Sequence, residues 1–243
     1  MSTAGVDLAA EPKGTALAVV EWGAGRAELV HLQVGADDAA IVEATCDVAK
    51  LGIDCAFGWP DEFTAFLVGH AAGASPVPGG MEWRRTLAFR ETDRVLRERT
   101  GRYPLSVSTD RLGLTAMRCA GLLGRLHADG RDVYRAGDGH VAEVYPGATL
   151  RSWGFDTRGY RTDPDVRRVL LAALLEQAPW LELGGFRDEL IRSDHAFDAL
   201  VAALAARAAV LGLCPGPEGA QRQRARREGW IRLPEGVLGD LAP

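Results

Sequence analysis

The sequence predicts an α/β fold: a mixed sheet of three antiparallel strands followed by parallel strands, with helices on both faces. Three observations predict it. Two strand-like runs flank a glycine turn near the N-terminus and read as a hairpin. Further short apolar runs are separated by long helical patterns, the order that crossover connections require. The chain has 243 residues, 47% hydrophobic and 25% charged, which is ordinary globular composition and enough for one large core.

Taken in order, Ala4 to Ala10 reads as a short buried strand carrying one acid, Asp7, and Glu11 to Gly14 as a turn. Thr15 to Trp22 and Arg26 to Val34 are the hairpin strands on either side of Gly23-Ala24-Gly25. A helix is expected from about Asp37 to Lys50, with Asp37 and Asp38 favouring its N-terminal end and Gly52 stopping it. Gly52 to Phe57 is the next strand and holds Asp54; the chain leaves the sheet at Pro60, which has no N–H for a ladder. Right-handed crossovers place this strand beside the Asp7 strand and parallel to it. Residues 61–135 read as a helical or irregular elaboration, with a Gly/Pro-rich loop from Gly73 to Gly80. Val141 to Tyr145 is a strand containing Glu143, stopped by Pro146. Helices follow at about Pro164 to Gln177 and Ser193 to Leu211. No repeat and no linker-like shift in composition interrupts the chain, so residues 1–243 read as a single domain.

Acids outnumber bases 33 to 28, a net charge of −5, which argues against tight non-specific nucleic-acid binding. Lys13 and Lys50 are the two lysines; arginine, the better bidentate partner for carboxylate and phosphate, supplies the remaining basic residues. Cys46, Cys55, Cys119 and Cys214 are scattered without a C-x-x-C pair, so neither a zinc ribbon nor a redox motif is written here. The first residues lack the basic-then-apolar pattern of a signal peptide. No apolar run approaches the ~20 residues that span a bilayer. A soluble cytoplasmic protein is expected.

Three strands each carry one acid among apolar neighbours: Asp7, Asp54 and Glu143. An unpaired buried carboxylate is costly, so such acids are paired, capped, protonated or holding a cation. Neighbouring strands lie ~4.8 Å apart, so Asp7 and Asp54 at matching heights bring two negative charges together. The plainer alternative is that each acid ends its strand and accepts backbone or arginine hydrogen bonds. The last helix adds Asp194 and Asp198, four residues apart on one face. Asp194 follows Ser193, a natural N-cap, and suits the helix dipole; Asp198 has no such local role. Oxygen ligands without cysteine suit Mg²⁺ or Mn²⁺. A cluster of three or four carboxylates is the set that two-metal phosphoryl chemistry requires; His195 is either a proton relay beside it or simply hydrogen-bonded to a neighbouring Asp.

The phrases GVDLA, GIDCAFGWP, FRETDR, EVYPGATLRSWG, SDHAFDALVAALAARA and EGWI, in this order, resemble a family known as domain of unknown function 429. The likeness runs over roughly residues 4 to 233. The order of elements and the Asp-x-x-x-Asp-Ala-Leu helix also resemble the ribonuclease-H-like superfamily, its Holliday-junction resolvases in particular. The resemblance implies that fold and a nuclease activity. It also implies metal ligands at Asp7, Asp54 and Asp198, with Asp194 or Glu143 as a fourth. Cys55 departs from the family's phrase, where alanine is common.

Two arginine sets complete the candidates. Arg84, Arg85 and Arg90 are expected to bind substrate phosphates from a segment that lids the acids, unless they pair with Glu82, Glu91 or Asp93. Arg222, Arg224, Arg226 and Arg227 form a basic run that either tracks a nucleic-acid backbone or is a solvated helical face. The expected function is a Mg²⁺- or Mn²⁺-dependent nuclease in which Asp7, Asp54 and Asp198 are catalytic. Its expected substrate is nucleic acid or nucleotide, short or single-stranded. The alternatives are a non-catalytic ribonuclease-H-like binding module and an actin-like phosphotransferase; 243 residues fall short of the two domains that the latter class uses.

Overall fold

The computed structural model describes residues 1–74 and 79–243; half of the expected Gly73 to Gly80 loop lies outside the described residues. β1 (Ser2–Asp7) and β2 (Ala16–Trp22) are buried on both faces, which is why their sequences are apolar almost throughout. β3 (Ala27–Val34) turns back antiparallel to β2, and β1, β2 and β3 form the expected meander. The chain then passes through α1 (Asp38–Ala44) to β4 (Lys50–Asp54), which pairs parallel with β1. β5 (Val141–Glu143) pairs parallel with β4, and the two-residue β6 (Leu181–Glu182) pairs parallel with β3. Among the described residues the sheet order is β5-β4-β1-β2-β3-β6, an α/β arrangement consistent with a ribonuclease-H-like fold.

Helices cover both faces, as expected. On one, α6 (Pro146–Ser152), α7 (Pro164–Gln177), α8 (Arg187–Arg192) and α9 (Asp194–Val210) enclose the larger core over β2 and β3. On the other, α1 and α5 (Gly113–Ala128) pack on β1, β2 and β4. Residues 61–135 are largely helical: α2 (Asp61–Ala71), α3 (Met81–Ala88), α4 (Glu91–Thr100) and α5. The last of these is more than an elaboration, because Cys119, Leu122, Leu123 and Leu126 of α5 belong to the sheet's own core. A further helix, α10 (Gln221–Glu228), packs against α4 and α2. No described helix is long and apolar enough to cross a membrane.

A close approach of helix to sheet sets the position of the site. Gly5 and Gly52 lie side by side in register on β1 and β4. A Cβ on Gly5 would stand 2.1 Å from the Ala203 nitrogen and 2.2 Å from the Ala199 oxygen; one on Gly52 would stand 2.5 Å from the Ala202 oxygen. The two missing side chains leave a trough, and the alanine-rich face of α9 sits in it backbone to backbone. Thr3 ties the same face down, donating to the Ala203 carbonyl at 2.9 Å.

Several boundaries differ from expectation for tertiary reasons. The first helix ends at Ala44, and Lys50 opens β4, so Gly52 is in mid-strand and does not stop a helix. Lys50 is drawn into the strand because its buried ammonium donates to the carbonyls of Gly137, at 2.9 Å, and Gly139. β1 starts at Ser2 and ends at Asp7, earlier than its apolar run implies. The short elements α6, β6 and α8 carry too little local signal to be expected. The long ones do carry it. α7 begins at Pro164 and ends at Gln177, and Ser193 caps α9 by accepting from the Ala196 N–H at 3.2 Å.

Candidate metal centre

Asp7 and Asp54 are the last residues of two parallel strands and are paired in register. Alternation along each strand puts their side chains on the face of Gly5 and Gly52, toward α9. Asp198 comes from the second turn of α9, which the glycine trough allows to lie against the strands. One carboxylate oxygen from each of the three falls within 4.8 Å of the others. Asp198 is buried, while Asp7 and Asp54 open onto a cleft of about 190 Å³ at the carboxyl ends of the strands.

Each acid has a polar companion, and Asp198 has two. Asp7 Oδ2 lies 2.6 Å from Nδ1 of His195, which is partly exposed. Tyr160, from the turn before α7, donates its hydroxyl to Asp198 Oδ1 at 2.8 Å. Arg161 places Nη2 2.8 Å from Asp198 Oδ2 and 3.6 Å from Asp54 Oδ2. These contacts leave the cluster short of full compensation. Burial, and then the charge of Asp7, push the Asp54 carboxyl well above the usual carboxylate range, with Arg161 opposing. Asp198 is pushed up to about 7, chiefly by burial and further by Asp7, against the pull of Arg161. His195 is raised by its hydrogen bond to Asp7, which favours the imidazolium, with burial opposing. Three oxygens converging under mutual repulsion fit a small hard divalent cation, which is what the donor set is chemically suited to hold.

Glu143 is not brought into this cluster, and a register of one residue is the reason. It pairs with Ile53, so it projects to the sheet face opposite Asp54. There Arg90 takes both its oxygens, Nη1 to Oε2 at 2.9 Å and Nη2 to Oε1 at 2.7 Å, and the Phe57 N–H donates to Oε2 at 3.0 Å. Burial raises the Glu143 carboxyl, with Arg90 working against it. Glu143 is thus bonded as the partner of an arginine. The same contact corrects the expectation for Arg90. It is buried, it bonds Asp93 and the Glu228 carbonyl as well, and no part of its guanidinium is left for a phosphate. Gly229, at φ +89°, makes room for this: a Cβ there would meet Glu143 Oε2 at 2.5 Å.

The other candidates are dispersed. Asp194 is the first residue of α9, half-buried and outside the close cluster of three, though its charge adds to the upward shift of Asp198. Arg84 and Arg85 are exposed on α3 and do not line the cleft. In the basic run, Arg224 pairs with Glu62, and Arg227 with Asp61, both on α2. Those two arginines therefore fasten α10 to α2. Buried Glu228 accepts from the N–H groups of Asp61 at 2.9 Å and Glu91 at 2.7 Å, so one carboxylate caps the start of two helices.

Sequence reasoning missed Tyr160 and Arg161. They occupy a turn 38 and 37 residues before Asp198, in no periodic pattern and no quoted phrase, so only the tertiary contact identifies them. A family model described as "Protein of unknown function (DUF429)" matches residues 5–222. No curated protein and no solved structure matches the chain.

Proposed function

Given that the chain belongs to the DUF429 family, whose function is unknown, we propose that it is a divalent-metal-dependent nuclease of the ribonuclease-H-like kind, acting in the cytoplasm. The observation that carries this reading is the convergence of Asp7, Asp54 and Asp198, from two strand ends and one helix, with one oxygen of each within 4.8 Å of the others. A bound Mg²⁺ or Mn²⁺ supplies Lewis-acid polarisation of the scissile phosphate and lowers the pKa of the attacking water. Asp7, Asp54 and Asp198 would hold the ion. Tyr160 orients Asp198 by donating to Oδ1, while Oδ2 faces Arg161. His195, oriented through Nδ1 by Asp7, exchanges a proton at its other ring nitrogen.

Substrate size follows from the cleft. At about 190 Å³ the cleft beside the acids is small and suits one phosphate with the groups next to it. Leu8, Leu105 and Leu112 supply an apolar wall beside the acids. A short or single-stranded nucleic acid fits this space better than duplex, and the net charge of −5 argues for few phosphate contacts.

A second reading, a non-catalytic binding module of the same fold, is favoured by the ion pair between Arg161 and Asp198, which neutralises part of the cluster. Calorimetric titration with Mn²⁺ separates the two, followed by cleavage of a short single strand against duplex of equal sequence over a salt series. The nuclease reading requires a specific Mn²⁺ site, metal-dependent cleavage, single-strand preference and a shallow salt slope. Absence of any specific Mn²⁺ binding refutes it.

A further inference from the structure

Two arginines meet acids at the carboxyl ends of the strands, and the fold holds them differently. Arg90 is 3% exposed and is bonded on every side, which makes it a fixed part of the scaffold. Arg161 is 47% exposed and sits in the turn between α6 and α7, two residues after Gly159 at φ +78°. Besides its two carboxylates it makes one bond, Nε to the Tyr160 hydroxyl at 3.0 Å. Its guanidinium stands between Asp54 and Asp198 on the side that lines the cleft.

A divalent ion at this centre would draw on two of the carboxylates that Arg161 meets, Asp54 and Asp198. Tyr160 donates to Asp198 Oδ1, and Oδ2, the oxygen with no hydroxyl partner, lies 2.8 Å from Arg161 Nη2. The guanidinium and the ion are two cations drawn to the same oxygen, and their repulsion sets them in competition for it. Water can replace the bonds that half-exposed Arg161 gives up, but at buried Asp198 only an arriving cation can take its place. Among the described residues lining the cleft, Arg90 and Arg161 are the arginines, and Arg90 has no donor to spare.

Building on the nuclease reading, we propose that Arg161 is the resident counter-ion of the metal-free centre. When the centre is loaded Arg161 would give way, and its guanidinium would turn into the cleft as the ligand for the substrate phosphate, for which its planar fork is suited. Metal loading and phosphate capture are coupled through one side chain.

The test compares wild type with Arg161→Gln and Arg161→Lys. Calorimetry with Mn²⁺ is expected to show about tenfold tighter binding in Arg161→Gln, because no cation competes for the buried Asp198 oxygen. Arg161→Lys, which keeps the charge without the fork, is expected to fall between. In EDTA, Arg161→Gln should melt below wild type, and saturating Mn²⁺ should close or reverse that gap. With metal, Arg161→Gln should raise KM for a short single strand more than it lowers kcat. Equal or weaker Mn²⁺ affinity in Arg161→Gln, or a melting gap that Mn²⁺ leaves open, overturns the exchange while leaving the nuclease reading in place. An unchanged KM overturns the hand-over to phosphate. If neither wild type nor Arg161→Gln binds Mn²⁺, the nuclease reading and this inference fall together.

Discussion

Gly5→Ala tests whether the glycine trough is what brings the acids together. The added methyl would lie 2.1 Å from the Ala203 nitrogen, 2.2 Å from the Ala199 oxygen and 2.7 Å from the Ala202 carbon. All three are backbone atoms, so no side chain can swing aside. Restoring ordinary contact at ~3.5 Å requires α9 to retreat by more than an ångström. Overpacking of this kind costs about 3 kcal/mol, the upper part of its usual range, because a whole helix must move. For a chain of this length that corresponds to a melting temperature lower by roughly 6–12 °C. The same retreat carries Asp198 away from Asp7 and Asp54, so Mn²⁺ affinity should fall by at least about tenfold in protein that is still folded, since ligation tolerates errors of only ~0.5 Å. The control is Gly121→Ala on the exposed face of α5, where an added Cβ meets nothing within 4 Å. Alanine there should stabilise by up to about 1 kcal/mol through helix propensity alone. Thermal melts and Mn²⁺ calorimetry on both variants decide the matter. A Gly5→Ala protein with wild-type melting and Mn²⁺ affinity would refute the trough as the device that positions Asp198.

Three further outcomes are expected. Asp7→Asn should leave the metal-free melting temperature unchanged or higher, since it relieves repulsion on Asp54 and Asp198 and its amide oxygen still accepts from His195, while Mn²⁺-dependent cleavage is abolished; a large loss of stability would mark the carboxylate as structural. Asp198 moves from an ordinary 3.8 to about 7 on folding, so the folded state holds the extra proton and stability declines as pH rises between those values. The His195 contribution, also present below its unfolded pKa, is lost in the same direction as pH passes its raised folded value. Melts in EDTA from about pH 5 to pH 8 should therefore show a falling temperature, flattened by saturating Mn²⁺; a flat EDTA profile contradicts the strain in the cluster. Arg90→Ala strands Asp93 and Glu143 as buried unpaired acids and should cost about 3–5 kcal/mol, whereas Arg84→Ala and Arg85→Ala should stay within about 0.5 kcal/mol in denaturant melts.

Much of this protein was legible in its residues because the relevant physics is local or periodic. The hairpin across Gly23 to Gly25 follows from two β-rich runs and a turn. The helices at Pro164 and after Ser193 follow from a proline suited to a first turn and a serine that caps. The parallel pairing of β1 with β4 follows from the handedness of crossovers, and with it the meeting of Asp7 and Asp54. Asp198 stood out because a buried helix face offered it no local role.

What the sequence left open was register and long-range partnership. Glu143 looks like a third strand acid in the same series, yet pairing with Ile53 turns it to the other face, where Arg90 claims it. No pattern within a three-residue strand fixes which face an acid meets, because a shift of one residue reverses it. Arg90 and Arg161 are both arginines in polar, turn-flanked segments. Only the tertiary structure decides that one is locked beneath α10 and the other stands exposed over the acids. Which charges neutralise one another depends on distances of a few ångströms between residues far apart in the chain, and that information arises only when α9 closes onto the glycines of the sheet.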